Sequence, residues 1–171
     1  DNYKKLVNLK EKKKESTSKL TALTNEEIAD IQASLNREMD NLNTEICRDS
    51  QVSAPTIQFE SVSKYRLYTP NDNGSGTSNK GLIIFDIACL NSSELPYIIH
   101  DSVMFSEISF DRVSEIINIY TRISKQVFIA IDGISKYSID AQQKIKNNTV
   151  LKLGKNGNEL FGKSWGIKEN E

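Results

Sequence analysis

Two short apolar runs, each ending in an aspartate, constrain this chain more than any other feature. In Pro96-Tyr97-Ile98-Ile99-His100-Asp101-Ser102 an apolar stretch stops at a His-Asp-Ser triplet. Gln126-Val127-Phe128-Ile129-Ala130-Ile131-Asp132 repeats the pattern. Short β-branched and aromatic runs of this kind read as buried strands. Between them, Asp111 to Lys125 has helical spacing, with Val113, Ile116, Ile117, Tyr120 and Ile123 on one face. Ser138 opens a short helix to about Asn147, and Thr149–Leu153 reads as a final strand. Strand, helix, strand, helix, strand in this order implies an α/β fold with a short, mainly parallel sheet flanked by helices. Ligands of such sheets bind beyond the carboxyl ends of the strands, where Asp101 and Asp132 fall.

The part of the chain before these runs is of a different kind. Residues 3–23 read as a helix with a thin apolar seam through Tyr3, Leu6, Leu9 or Lys10, Lys13, Leu20 and Leu23. Thr24-Asn25-Glu26-Glu27 has the form of a capping box and predicts a new helix start. Ile28, Ile31, Leu35, Met39, Leu42 and Ile46 then follow at helical spacing. The two helices read either as the end of a coiled coil entering a globular head or as an ordinary helical hairpin. Pro55 marks a break. Thr56–Glu60 and Tyr65–Tyr68 alternate around Ser61-Val62-Ser63-Lys64 and predict an antiparallel hairpin. Gly81 to Leu90 is apolar throughout, and its periodicity fits a buried helix or a buried strand equally. Glu159-Leu160-Phe161-Gly162-Lys163-Ser164-Trp165 reads as a tail packed by its two aromatics. The division expected is a helical base over residues 1–50 and an α/β unit over residues 51–171.

Bulk properties narrow the function classes. A length of 171 residues suits one domain, or a small domain with an extension. The net charge of −1 supplies no global basic field for nucleic acid. Lys10-Glu11-Lys12-Lys13-Lys14, with Lys4, Lys5 and Lys19, is the local exception and reads as a solvated helix face. Cys47 and Cys89 stand far apart with no CxxC or Cys/His cluster, which argues against zinc and a disulfide scaffold and fits a reducing cytoplasm. No apolar stretch is long enough to span a membrane. The sequence begins at Asp1 within a helical pattern, as expected of a fragment of a longer protein.

The residues that could carry chemistry lie in two places. Asp101, following an apolar run, is expected at the sheet edge with one side desolvated, either as a Mg²⁺ ligand acting largely through water or as a turn cap. Asn73-Gly74-Ser75-Gly76-Thr77-Ser78-Asn79-Lys80 is a glycine and hydroxyl-rich loop feeding an apolar segment. Its amides, the Ser75 and Ser78 hydroxyls and the Lys80 charge could hold phosphate; the alternative is a plain surface loop. It is not a P-loop, because GxxxxGK[ST] is absent from the chain. His100 is the single histidine and lacks the neighbours of a hydrolase triad or zinc site.

Taken in order, these pieces resemble the C-terminal lobe of SMC/RecN-type coiled-coil ATPases of the ABC superfamily. More closely, they resemble a bacterial domain of unknown function found at the C-terminus of such proteins. The matching segments are 69–80, Phe85-Asp86-Ile87-Ala88, 95–102, Lys125-Gln126-Val127-Phe128-Ile129-Ala130 and 159–165. The resemblance implies that Gly74, Ser75, Gly76, Thr77, Ser78 and Lys80 form the signature loop that contacts ATP. It implies that Asp101 is the Walker B aspartate binding Mg²⁺, that Ser106 to Ser109 lie near the D-loop, and that Asp132 stands at the switch-histidine position. Ser102 replaces the usual catalytic glutamate, and a serine is a poor general base, so Glu107 or Asp132 would have to serve instead. The implied partners are the protein's own N-terminal P-loop lobe, a second head in a homodimer, and possibly DNA and accessory subunits, in DNA maintenance or antiphage defence. Two rival readings remain: a Mg²⁺-dependent nuclease using Asp101 and Asp132 together, and a non-catalytic dimerisation or interaction module.

Overall fold

Neither proline nor glycine occurs before Pro55, so nothing in the backbone chemistry stops a helix once it has started. In the computed structural model, which describes residues 2–48, 51–155 and 158–162, helix α1 runs unbroken over Asn2–Cys47. At 1.5 Å per residue it is about 70 Å long. The helix start expected at Thr24 is therefore absent. The Thr24 hydroxyl donates back to the Leu20 carbonyl at 2.8 Å, within the helix, instead of serving the amides that follow. Capping residues mark a boundary only where the chain before them leaves helical geometry, and here it does not. The N-terminal half of α1 exposes Tyr3, Leu6, Leu9, Leu20 and Leu23, whereas the C-terminal half buries Leu35, Met39, Leu42 and Ile46. The helix ends at Arg48, left-handed at φ 49°, whose guanidinium pairs with Glu115 at 2.5 Å.

Strands β1 (Thr56–Ser61) and β2 (Lys64–Tyr68) form the expected antiparallel hairpin. Its attachment to α1 is unusual in kind. Asn36 Oδ1 accepts the Ile57 N–H at 2.8 Å, and its amide donates to the Ile57 carbonyl at 3.0 Å. One turn earlier, Gln32 Oε1 accepts the Phe59 N–H at 2.8 Å. Two side chains of a helix thus take the place of a neighbouring strand along β1.

The ambiguous apolar run is a helix, α2 (Ser75–Ser92), and it fills the centre of the molecule. Ile83, Ile84, Ile87, Ala88 and Leu90 are buried against α1, the hairpin and the elements that follow. Lys125 donates to the Leu90 carbonyl at 2.7 Å and to the Ser93 carbonyl, so a cation caps the C-terminal end of α2.

Strands β3 (Tyr97–His100) and β4 (Gln126–Ile129) pair in parallel, Tyr97 opposite Gln126 and His100 opposite Ile129. Between them lie a 3-10 turn over Ser102–Phe105 and helix α3 (Phe110–Tyr120). Helix α4 (Ile139–Asn148) follows, N-capped by the Ser138 hydroxyl as its sequence predicts. The fold is mixed α/β: among the described residues there are four α-helices and two separate two-stranded sheets, one antiparallel and one parallel.

Several expectations fail here. The parallel strands are not buried: His100 and Ile98 turn inward, but Ile99 is 67% exposed, and Tyr97 and Phe128 also face out. No third strand forms over 149–153, where Val150, Leu151 and Leu153 are exposed. Helix α3 stops at Tyr120, five residues early, in a turn that frees Ile123 to pack against the core. Phe161 is exposed, and Trp165 lies outside the described residues. No described helix is long and apolar enough to cross a membrane.

The clasp on β1 makes a clear prediction. Asn36→Ala leaves both polar backbone groups of the buried Ile57 without their partner, which costs about 1–3 kcal/mol per unsatisfied group. The midpoint of urea unfolding should fall with the slope unchanged. An unchanged midpoint would show that the clasp carries no stability.

Candidate nucleotide-facing edge

The loop before α2 is organised by a residue that the sequence reading did not single out, Asp72. Its Oδ1 accepts the Gly74 N–H at 2.9 Å, and its Oδ2 accepts the Thr77 hydroxyl at 2.7 Å. Asp two residues before Gly is an Asx-turn pattern, so the signal was present. The Gly74 amide first, and then the Thr77 hydroxyl, hold the Asp72 carboxyl below its ordinary value of 3.8. No side chain caps the N-terminus of α2, whose first amides face the loop.

Gly76 fixes how this helix end sits in the molecule. A Cβ built there would lie 2.3 Å from the Glu107 carbonyl oxygen, so the close approach requires glycine. The Ser75 hydroxyl donates to Glu107 Oε2 at 3.5 Å. The start of α2 is thereby locked against the chain segment leaving β3. Ser75 and Ser78 are exposed, and Gly74, Gly76 and Thr77 complete the loop around them.

Lys80 is a correction. Expected as a point charge for phosphate, it is 0% exposed and faces α1, donating to Asn43 Oδ1 at 2.7 Å and towards Cys47 Sγ at 3.4 Å. Helical spacing explains this, since Lys80 shares a face with Ile83, Ile84 and Ile87. Without it the loop is acidic: Asp72 and Glu107 flank the helix end.

At the end of β3, Asp101 caps the 3-10 turn. Its Oδ1 accepts the Ser102 N–H at 2.6 Å and the Ser102 hydroxyl at 3.3 Å, and Oδ2 has no protein partner among the described residues. Asp101 is exposed, contrary to the expected one-sided desolvation. Ser102 and Asp132 meet across a shallow cavity of about 280 Å³, with Ser106, Lys136 and Tyr137 in its wall. Asp132 is engaged by Lys136 at 3.6 Å. Burial, and secondarily the Asp132 charge, raise the Tyr137 phenol above its ordinary value. Among the described residues no three His, Cys, Asp or Glu side chains gather to hold a metal. A lone exposed carboxylate such as Asp101 suits the way Mg²⁺ binds through waters and substrate phosphates.

Behind Asp101, His100 is 1% exposed and joins three elements. Its Nδ1 lies 2.5 Å from the Tyr120 hydroxyl on α3, and its Nε2 lies 3.0 Å from Asp86 Oδ2 on α2. Burial first, and then the Asp86 charge, raise the Tyr120 phenol well above its ordinary value, so it stays a donor. Nδ1 bonds the tyrosine hydroxyl, and Nε2–H donates to the Asp86 carboxylate. The histidine is a strut that fixes the backbone delivering Asp101.

Two measurements probe this edge. Gly76→Ala should force the 3-10 segment away from α2 and destabilise the fold by about 1–3 kcal/mol, read as a lower melting temperature. The depressed Asp72 value means that its bonds to the loop stabilise the folded state above pH 3.8 and are lost as pH falls through the folded-state value. Carbon NMR titration should place the Asp72 midpoint below 3.8 and move it upward in Thr77→Val. A midpoint at or above the ordinary value would contradict the geometry of the loop.

No curated protein matches the chain. Among solved structures, the Smc head domain with an extended coiled coil, bound to the C-terminal domain of ScpA, from Pyrococcus furiosus, is similar at 9% identity and a TM-score of 0.45. The match covers 65% of this chain and 29% of that one. The family described as "Uncharacterised protein conserved in bacteria (DUF2326)" matches residues 33–165. The chain belongs to that bacterial family.

Proposed function

We propose that this chain is the C-terminal half of an SMC-like ATPase head, in which residues 1–50 form the base of a coiled coil and residues 51–171 one lobe. ATP with Mg²⁺ would bind between this lobe and a separate P-loop lobe. One observation carries the reading. The parallel β3–β4 pair presents Asp101 at its carboxyl end and leaves Tyr97, Ile99 and Phe128 bare on its outer face. Parallel sheets are ordinarily covered on both faces and extended by further strands, so this sheet has the form of an incomplete one.

The residues then divide the work. Asp101 would hold the hydrated metal through its free Oδ2, and a bound Mg²⁺ would supply charge neutralisation at the phosphates. The uncapped start of α2, with Ser75 and the Gly74–Gly76 backbone, would face phosphate oxygens. Asp72 and Glu107 repel a polyphosphate and Arg112 is engaged electrostatically with Asp72, so further cations would come from the opposite lobe, and this chain alone should neither bind ATP tightly nor hydrolyse it. Ser102 cannot deprotonate water, which makes turnover slow. A second reading, a docking module without turnover, is favoured by the exposed apolar seam of Tyr3, Leu6, Leu9, Leu20 and Leu23 along α1.

ATP hydrolysis by the intact head, wild type beside Asp101→Ala, separates the two. Loss of turnover by about a hundredfold or more in the variant is expected, with this chain alone inactive. Ser102→Glu should raise turnover. Neither binding nor hydrolysis in the intact head would leave the docking module standing.

A further inference from the structure

Lys80 has a chemistry of its own in the core. Its amino group is fully buried and donates to Asn43 Oδ1 at 2.7 Å and to Cys47 Sγ at 3.4 Å, with no carboxylate bonded to it. Asp72 feels its charge but forms no ion pair with it. A buried cation without a counter-ion is costly to keep. The Cys47 thiol also approaches Asn43 Oδ1 at 3.5 Å, and the Asn43 amide donates to the Val52 carbonyl at 2.8 Å. Amine, amide and thiol are thus held as one cluster where α1 meets α2. Cys47 is only half-buried and lines a cavity of about 510 Å³ with Arg48, Arg112, Glu115 and Ser138. Cys47 thus stands between that cavity and the buried Lys80 nitrogen, which meets its sulfur from the core.

We infer that Cys47 and Lys80 are the two ends of an oxidation-triggered covalent bridge, a sulfenamide joining Sγ to Nζ. The oxidant is a peroxide. In the first step the thiol is oxidised by two electrons to the sulfenic acid, and hydrogen peroxide is reduced to water. In the second, the Lys80 side chain gives up one proton to solvent, the lone pair of the resulting amine attacks sulfur, the S–O bond breaks as the S–N bond forms, and the oxygen leaves as water with a second N–H proton. No further electrons move. The product carries no charge on the bridging nitrogen, so bridging removes the buried cation. Cys89 is the built-in contrast: burial, and then the Asp86 charge, raise its thiol above the ordinary value, and no amine donates to it among the described residues. The bridge would pin the end of α1 to the second turn of α2, and it does not depend on the ATPase reading.

The test is peptide mapping by mass spectrometry of the folded chain carrying Cys89→Ser, after treatment with hydrogen peroxide. The expected product is a peptide pair joining Cys47 to Lys80, two hydrogens lighter than the separate peptides and released by dithiothreitol. It should vanish in Cys47→Ser and in protein oxidised in urea, where the two side chains are no longer held together. Recovery of Cys47 as free thiol or only as sulfinic acid, or equal bridging in urea, would overturn the inference. Because the product is read in a chain that keeps both Cys47 and Lys80, loss of folding in a lysine variant cannot imitate a negative result.

Discussion

Helix α2 has to bury Ile83, Ile84, Ile87, Ala88 and Leu90, and the rest of the molecule is arranged around that requirement. At roughly 1.5–3 kcal/mol for each large aliphatic side chain removed from water, these residues dominate the local energetics. One face is covered by the Leu35–Met39–Leu42–Ile46 stripe of α1, and others by the hairpin, β3 and the 3-10 segment. The helix cannot shift far without opening one of these contacts. Its first turn is therefore held in place relative to the end of β3, a condition that any ligand bridging the two would need.

Much of this was legible from the sequence, and the failures have physical causes. The hairpin, α3, α4 and the order of β3 and β4 follow from periodicity and turn residues acting locally. The missing break at Thr24 is a case where local capping preference yields to an uninterrupted run of helix-compatible residues. The exposed faces of β3 and β4 could not be read, because an apolar run says that a strand wants cover and not that cover is present. Val150 to Leu153 fails for the same reason: β-propensity without a neighbouring strand makes no sheet.

The candidate site shows the same division. Asp101 at a strand end and the glycine-rich start of α2 were placed by pattern alone; in the fold the start of α2 meets Glu107, whereas His100, the residue before Asp101, bonds Asp86 further along the helix. Lys80 was assigned by its neighbours in sequence, when its neighbours in helical period were isoleucines. Asp72 was overlooked because its role is to bond the chain's own backbone and hydroxyls, and Glu107, expected as a substitute base, accepts the Ser75 hydroxyl. His100 illustrates the limit of reading single residues, since its partners Asp86 and Tyr120 lie 14 and 20 positions away.

The amide clasp of Gln32 and Asn36 has a mechanical meaning. Each residue of an α-helix turns the side-chain direction by about 100°, so even a fraction of that rotation of α1 about its own axis would pull both amides off β1. The long helix is geared to the hairpin and cannot spin freely beside it. Torque or bending applied at the far end, roughly 50 Å away along the axis by helical rise, arrives at β1 as a pull on two specific peptide groups. The hairpin is in this sense the lever's fulcrum.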